Sequence, residues 1–200
     1  MKIAVCPLGP LETNCYIVDG HIVIDPGDDI NMLDAFISRE NAVPDTVIVT
    51  HGHFDHMIGC AHMKRKFSCS LCISAKDAPA LSNEDVCMAR GNTITKFEPV
   101  TPDIILTEGT AKFGETELEI LFTPGHTPGG LCLLNTGEGV IFTGDTVMKM
   151  GFGRTDFPGG SMTDMLSSLR KLFSLDPSLI AYPGHGEQSS LEQIRKVYYR

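Results

Sequence analysis

Five of the seven histidines in this chain, His51, His53, His56, His126 and His185, fall in short turns that follow Val-, Ile- or Leu-rich runs. Imidazole nitrogens and carboxylate oxygens are the usual donors to divalent ions such as zinc, so such a cluster points to metal chemistry. In His51-Gly52-His53 the imidazoles stand two residues apart. An extended segment turns both to one side, as two ligands of one ion require, and Gly52 lets the backbone bend between them. Asp55 and His56 follow where a helix is expected to begin, which sets a second ligand pair facing the first across one tight turn. With His126, Asp145 and His185 the set reaches seven N/O groups and no thiolate. Seven groups exceed one tetrahedral ion. They suit two ions sharing a carboxylate with room for a bridging water, the arrangement that makes hydroxide available near neutral pH.

The elements that must position these turns are legible as alternating short runs. The expected strands are Ile3–Cys6, Cys15–Val18, Ile22–Ile24, Thr46–Val49, Ile104–Leu106, Glu117–Phe122, Leu131–Leu134, Val140–Phe142 and Leu179–Ala181. The expected helices are Ile30–Arg39, Met57–Phe67, Ala75–Leu81, Thr163–Phe173 and Ser190–Tyr199, the fourth with Met165, Leu166, Leu169 and Leu172 as its core stripe. This is a mixed α/β layered pattern. Four runs end directly in the ligand turns: VIVT before His51, LFTP before Gly125-His126, VIFT before Gly144-Asp145 and LIAYP before Gly184-His185. Loops beyond one end of a sheet converge, so turns distant in sequence are expected to meet.

Composition narrows the partners. With 200 residues, 42% hydrophobic and 20% charged, the chain predicts one folded domain over residues 1–200. Its net charge of −9, from 16 basic and 25 acidic residues, argues against nucleic acid or an anionic membrane as partner. A small molecule is expected instead, and no pattern sets an oligomeric state. There is no apolar run of bilayer length and no signal-peptide pattern at the start, and the seven irregularly spaced cysteines make a poor disulfide framework. A cytoplasmic location is expected, with most cysteines acting as small buried apolar residues.

The segments Thr50-His51-Gly52-His53-Phe54-Asp55-His56, Pro124-Gly125-His126-Thr127, Thr143-Gly144-Asp145-Thr146 and Pro183-Gly184-His185-Gly186, in this order, resemble the metallo-β-lactamase superfamily over nearly the whole chain. Ile24-Asp25-Pro26-Gly27 resembles the family's early strand-end turn. The resemblance implies a four-layer αββα sandwich with the metal site at one edge. It also implies that His51, His53 and His126 hold one ion, Asp55, His56 and His185 hold the other, and Asp145 bridges them. Two divalent ions are expected, zinc first, with iron or manganese as alternatives. Within the superfamily the chain looks like the glyoxalase II-like hydrolases. They cleave a thioester or ester with a metal-bridging hydroxide, with Asp55 and Asp145 in the catalytic set. No C-terminal helical glutathione-binding domain is expected, since 15 residues follow His185. The alternative is a mononuclear-iron persulfide dioxygenase, similar in Gly153-Arg154-Thr155-Asp156-Phe157, with His51, His53 and Asp145 or His126 as iron ligands. Exported β-lactamases of the superfamily carry a Cys ligand where this chain has Asp145, so β-lactam cleavage is not expected.

Arg154 is the expected contact for a substrate carboxylate, with an ion pair to Asp156 as the competing role. The Gly151-Phe152-Gly153 start of that segment is not read as a nucleotide loop, because the third glycine and the βαβ context are missing. Asp25 is expected to orient a ligand histidine through its second nitrogen. Cys69-Ser70-Leu71-Cys72, with Cys60 and His62 just before it, is read as buried helix end and strand rather than a metal or redox pair. His21 is expected as an exposed turn residue.

Overall fold

The computed structural model describes residues 1–198. The chain divides into two units, one ending at Leu106 and the other beginning at Thr107. In the first unit, β-branched and aliphatic runs too short for helices form β1 (Ile3–Leu8), β2 (Thr13–Val18), β3 (Ile22–Ile24), β4 (Thr46–Ile48), β5 (Ser70–Ser74) and β6 (Ile104–Leu106). They line up in that order in one sheet, antiparallel from β1 to β3 and parallel from β3 to β6. β3 and β4 are unbroken buried runs, as inner parallel strands are. The carboxyl ends of β3, β4 and β5 are therefore neighbours at one edge.

Helix α1 (Ile30–Arg39) buries Leu33, Phe36 and Ile37 in this unit's core. It starts at Asp29, whose carboxylate accepts from the Met32 N–H at 3.0 Å, a cap worth about 1 kcal/mol. The helix expected over Met57–Phe67 is instead two, α2 (Phe54–Met57) and α3 (Cys60–Phe67). The Gly59 N–H leaves the helical ladder and donates to the Gly27 carbonyl at 2.9 Å. A Cβ on Gly59 would lie 2.6 Å from the Pro26 carbonyl oxygen, so the Pro26-Gly27 turn breaks the helix by close approach. The helix expected over Ala75–Leu81 is a 3₁₀ turn at Ala78–Ser82, with Pro79 in its first turn.

The second unit contains β7 (Gly109–Phe113), β8 (Thr116–Phe122), β9 (Leu131–Asn135), β10 (Val140–Gly144), α4 (Met162–Phe173), β11 (Ile180–Pro183), β12 (Ser189–Ser190) and α5 (Leu191–Tyr198). Its sheet runs β12-β11-β10-β9-β8-β7. β9 is antiparallel to both β8 and β10, and β10 is parallel to β11, so β8, β10 and β11 all end at one edge. Ser161 caps α4 by accepting from the Asp164 N–H, and Met165, Ser168, Leu169 and Leu172 form the buried stripe. Leu166, expected in that stripe, is 44% exposed; Ser168 takes its place by bonding the Pro124 carbonyl at 2.7 Å. α5 begins at Leu191, and Tyr199 of the expected helix lies outside the described residues. Among the described residues, no helix is long and apolar enough to cross a membrane.

Candidate metal centre

The first unit holds His51, His53, Asp55 and His56 at the carboxyl end of β4, all buried. Beside them, at the end of β3, Asp25 sits at φ +53° and is buried. Its Oδ1 accepts from the Thr50 N–H at 2.8 Å, and its Oδ2 accepts from the Thr50 hydroxyl at 2.7 Å. The same Oδ2 lies 2.8 Å from His56 Nδ1. Because the Thr50 hydroxyl spends its hydrogen on Asp25, it can only accept from His51 Nδ1, 3.1 Å away. Both imidazoles thus carry their proton on Nδ1, His56 held by Asp25 directly and His51 through Thr50. Their Nε2 atoms are buried and make no hydrogen bond, so these are the nitrogens a metal would take.

Gly52 lies between the first two imidazoles, where a Cβ would come 2.7 Å from Ala80 Cβ. Its N–H donates to Asp77 Oδ2 at 2.9 Å, which ties the turn to the end of β5. The His51 and His53 rings stand edge to face with centroids 5.0 Å apart. Asp55 Oδ2 accepts from the Thr13 hydroxyl at 2.7 Å and stands 3.4 Å from His56 Nε2. Donors bonded to one ion at about 2.1 Å in tetrahedral geometry are about 3.4 Å apart, so these side chains are spaced as a ligand shell is.

The second unit repeats this logic at the ends of β8, β10 and β11, which carry His126, Asp145 and His185. Asp145 Oδ2 lies 3.5 Å from His126 Nε2 and 3.6 Å from His185 Nε2, again ligand-shell spacings. His126 Nδ1 donates to the Arg154 carbonyl at 2.7 Å, which leaves Nε2 for a metal. Gly153 allows this. A Cβ there would lie 2.3 Å from the Asp145 carbonyl oxygen and 2.7 Å from the His126 ring. The turns after β10 and β11 are linked by the Gly184 N–H donating to the Gly144 carbonyl at 2.7 Å.

The Arg154 guanidinium grips Asp156 through Nε and a terminal nitrogen at 2.7 and 2.6 Å and lies 3.9 Å over the Phe157 ring. That pairing holds the Asp156 carboxyl at about 2. Cys69 and Cys72 are buried, and burial pushes their thiols up to about 11 and about 12, unlike a reactive pair. His62 Nε2 lies 2.8 Å from Asp34 Oδ1, so its ring is engaged by a carboxylate. His21 is half-buried rather than exposed and bonds Asp45 at 3.1 Å. Sequence reasoning assigned no role to Thr13, Thr50, Asp77 or the Arg154 carbonyl. The one available signal was polar residues flanking apolar strand runs, as at Thr13 and Thr50.

The metallo-beta-lactamase superfamily model matches residues 8–185. The hydroxyacylglutathione hydrolase GloC of Haemophilus influenzae is 30% identical over 203 residues, covering 98% of this chain and 96% of that protein. Among solved structures, the BLEG-1 B3 metallo-beta-lactamase superposes with a TM-score of 0.88 at 31% identity, over 96% of this chain and 95% of the other. TTHA1623 in a di-iron-bound form gives 0.87 at 28% identity, over 98% of both chains. The fold, with its two mixed sheets, is thereby that of these proteins.

Proposed function

We propose, for a chain that belongs to the metallo-beta-lactamase superfamily, a metal-dependent hydrolase that cleaves a thioester or ester in the cytoplasm. The observation that carries the reading is the fixed orientation of three imidazoles. Their Nδ1 atoms are engaged by Thr50, Asp25 and the Arg154 carbonyl, so each presents Nε2 to a metal. In this reading His51, His53 and His126 hold one ion, Asp55, His56 and His185 hold a second, and Asp145 is shared. The all-N/O donor set suits zinc, iron or manganese, and a di-iron form of a similar protein supports a pair of ions. When bound, such ions supply an activated water and polarise a carbonyl oxygen.

The chain's own groups orient that chemistry. Asp25 and Thr50 keep two ligands in one tautomer. Thr13 fixes Asp55 so that the carboxylate stays beside His56 Nε2. Arg154 meets a substrate carboxylate, in competition with Asp156. Similarity to a hydroxyacylglutathione hydrolase favours a thioester, whereas similarity to a β-lactamase supports acyl hydrolysis more broadly. Seven free thiols, six of them buried, suit a reducing compartment. Elemental analysis with kinetics on thioester, ester and β-lactam substrates tests the reading: two ions per chain and thioester turnover are expected. One iron per chain with persulfide oxidation, or β-lactam cleavage alone, would overturn it.

A further inference from the structure

Beside Asp145 and His185 the second unit contains a cavity of about 550 Å³. The Met148–Gly151 turn and the residues from His185 to Glu187 line it. Three features define what it accepts. Met148 and Met150 present flexible, polarizable thioethers that adapt to an unbranched apolar chain. At Gly151 and Gly186 a Cβ would meet nothing within 4 Å, so the walls leave room there. The two charges on the wall, Lys149 and Glu187, pair with each other at 2.6 Å, so the lining offers no uncompensated charge to an anion.

Asp145 Oδ2 lies within 3.6 Å of both His126 Nε2 and His185 Nε2. Arg154, the expected carboxylate contact, is bonded through its carbonyl to His126, and the cavity wall includes His185. The cavity thus adjoins a residue of the proposed ligand set, and a lining without uncompensated charge suits an apolar acyl half better than an acid-bearing thiol half. We infer that this cavity binds the apolar, straight-chain acyl group of the thioester and makes medium-chain acyl thioesters better substrates than acetyl ones. The inference rests on the hydrolase reading above. In the reaction the acyl C–S bond breaks, water's oxygen forms the new C–O bond, and the thiol leaves with a proton.

The test is kcat/KM of the metal-loaded enzyme on S-acyl-N-acetylcysteamine thioesters from acetyl to hexanoyl. A fully buried methylene is worth about fourfold, so partial burial of four methylenes gives an expected rise of about 100-fold. Met150 is 78% exposed, so Met150→Asp is compatible with the fold, and it is expected to flatten the series. A flat series in the wild type, an unchanged slope in Met150→Asp, or a slope that follows thiol length instead would overturn the inference. Absence of turnover on every thioester would count against the hydrolase reading alone. The cavity is then tested by a hexanoyl ketone analogue, CH2 replacing sulfur, added to methyl-labelled methionine protein. Shifts of the Met148 and Met150 methyl signals are expected, and unmoved signals would overturn the cavity assignment.

Discussion

Asp25→Asn probes two of the four first-unit ligands, His56 and His51, through a residue that is not itself a ligand. Asp25 Oδ1 accepts one hydrogen bond, from the Thr50 N–H, and an amide oxygen can keep it. Oδ2 accepts two, from the Thr50 hydroxyl at 2.7 Å and from His56 Nδ1 at 2.8 Å. An NH2 group in that place is a donor facing two donors. Hydrogen bonds to a charged group contribute about 1.5–3 kcal/mol each, so the gross loss is about 3–6 kcal/mol before the hydroxyl and the imidazole turn over to accept. If His56 accepts at Nδ1, its proton moves to Nε2, the atom that faces Asp55 Oδ2 at 3.4 Å, and that nitrogen can no longer ligate a metal. The expected result is a 10- to 100-fold weaker zinc affinity, measured by competition with a chromophoric chelator. A lower melting temperature of the metal-free protein should accompany it. Thr50→Val removes the relay to His51 and the hydroxyl's bond to Asp25 but leaves His56 held by Asp25, and should weaken binding less. Wild-type zinc affinity and stoichiometry in Asp25→Asn would refute the tautomer argument.

Asp145→Asn should lower occupancy of both ions, read by elemental analysis, because a neutral amide balances two dications poorly; full metal content would refute its shared role. Gly153→Ala should lose metal as well, since its Cβ would push the Asp145 carbonyl or the His126 ring aside, and a melting curve separates local from global damage. Arg154→Ala should raise KM for an acidic thioester about tenfold and spare a neutral ester. Equal losses on both substrates would assign Arg154 to loop structure through Asp156. Burial raises the Cys69 and Cys72 thiols from 9.0 in the unfolded chain to about 11 and about 12, so their contribution is complete below pH 9 and lost as pH climbs through those values. The urea midpoint should therefore fall from pH 9 upward, and less so in Cys72→Ala relative to its own neutral-pH value.

Most strands were legible because their apolar runs are bounded by Gly, Pro or Asp within the local sequence. β7 was not, since Thr110 and Lys112 on its exposed face leave few apolar residues to signal a strand. The break between α2 and α3 was hidden for a different reason. Residues 57–67 are locally helical, and what interrupts them is the Gly27 carbonyl, 32 positions from Gly59, taking its N–H. Leu166 failed likewise: helical spacing admits it to the stripe, and only packing that turns Ser168 toward the Pro124 carbonyl excludes it.

The same distinction separates the ligands from the groups that hold them. Each ligand turn sits at the carboxyl end of its own strand, so residue type and the preceding apolar run suffice to find it. Asp25 was legible for the same reason, as a carboxylate at a strand end. Its particular partners were not, since Thr50 and His56 are 25 and 31 positions away and become neighbours only because β3 lies beside β4. Thr13 reaches Asp55 across 42 positions because β2, antiparallel to β3, begins at the edge where β3 ends. Strand order, which no local pattern encodes, thus decides which imidazole nitrogen keeps its proton. A change in pairing that left every ligand residue in the sequence would still abolish the ligand-ready tautomers.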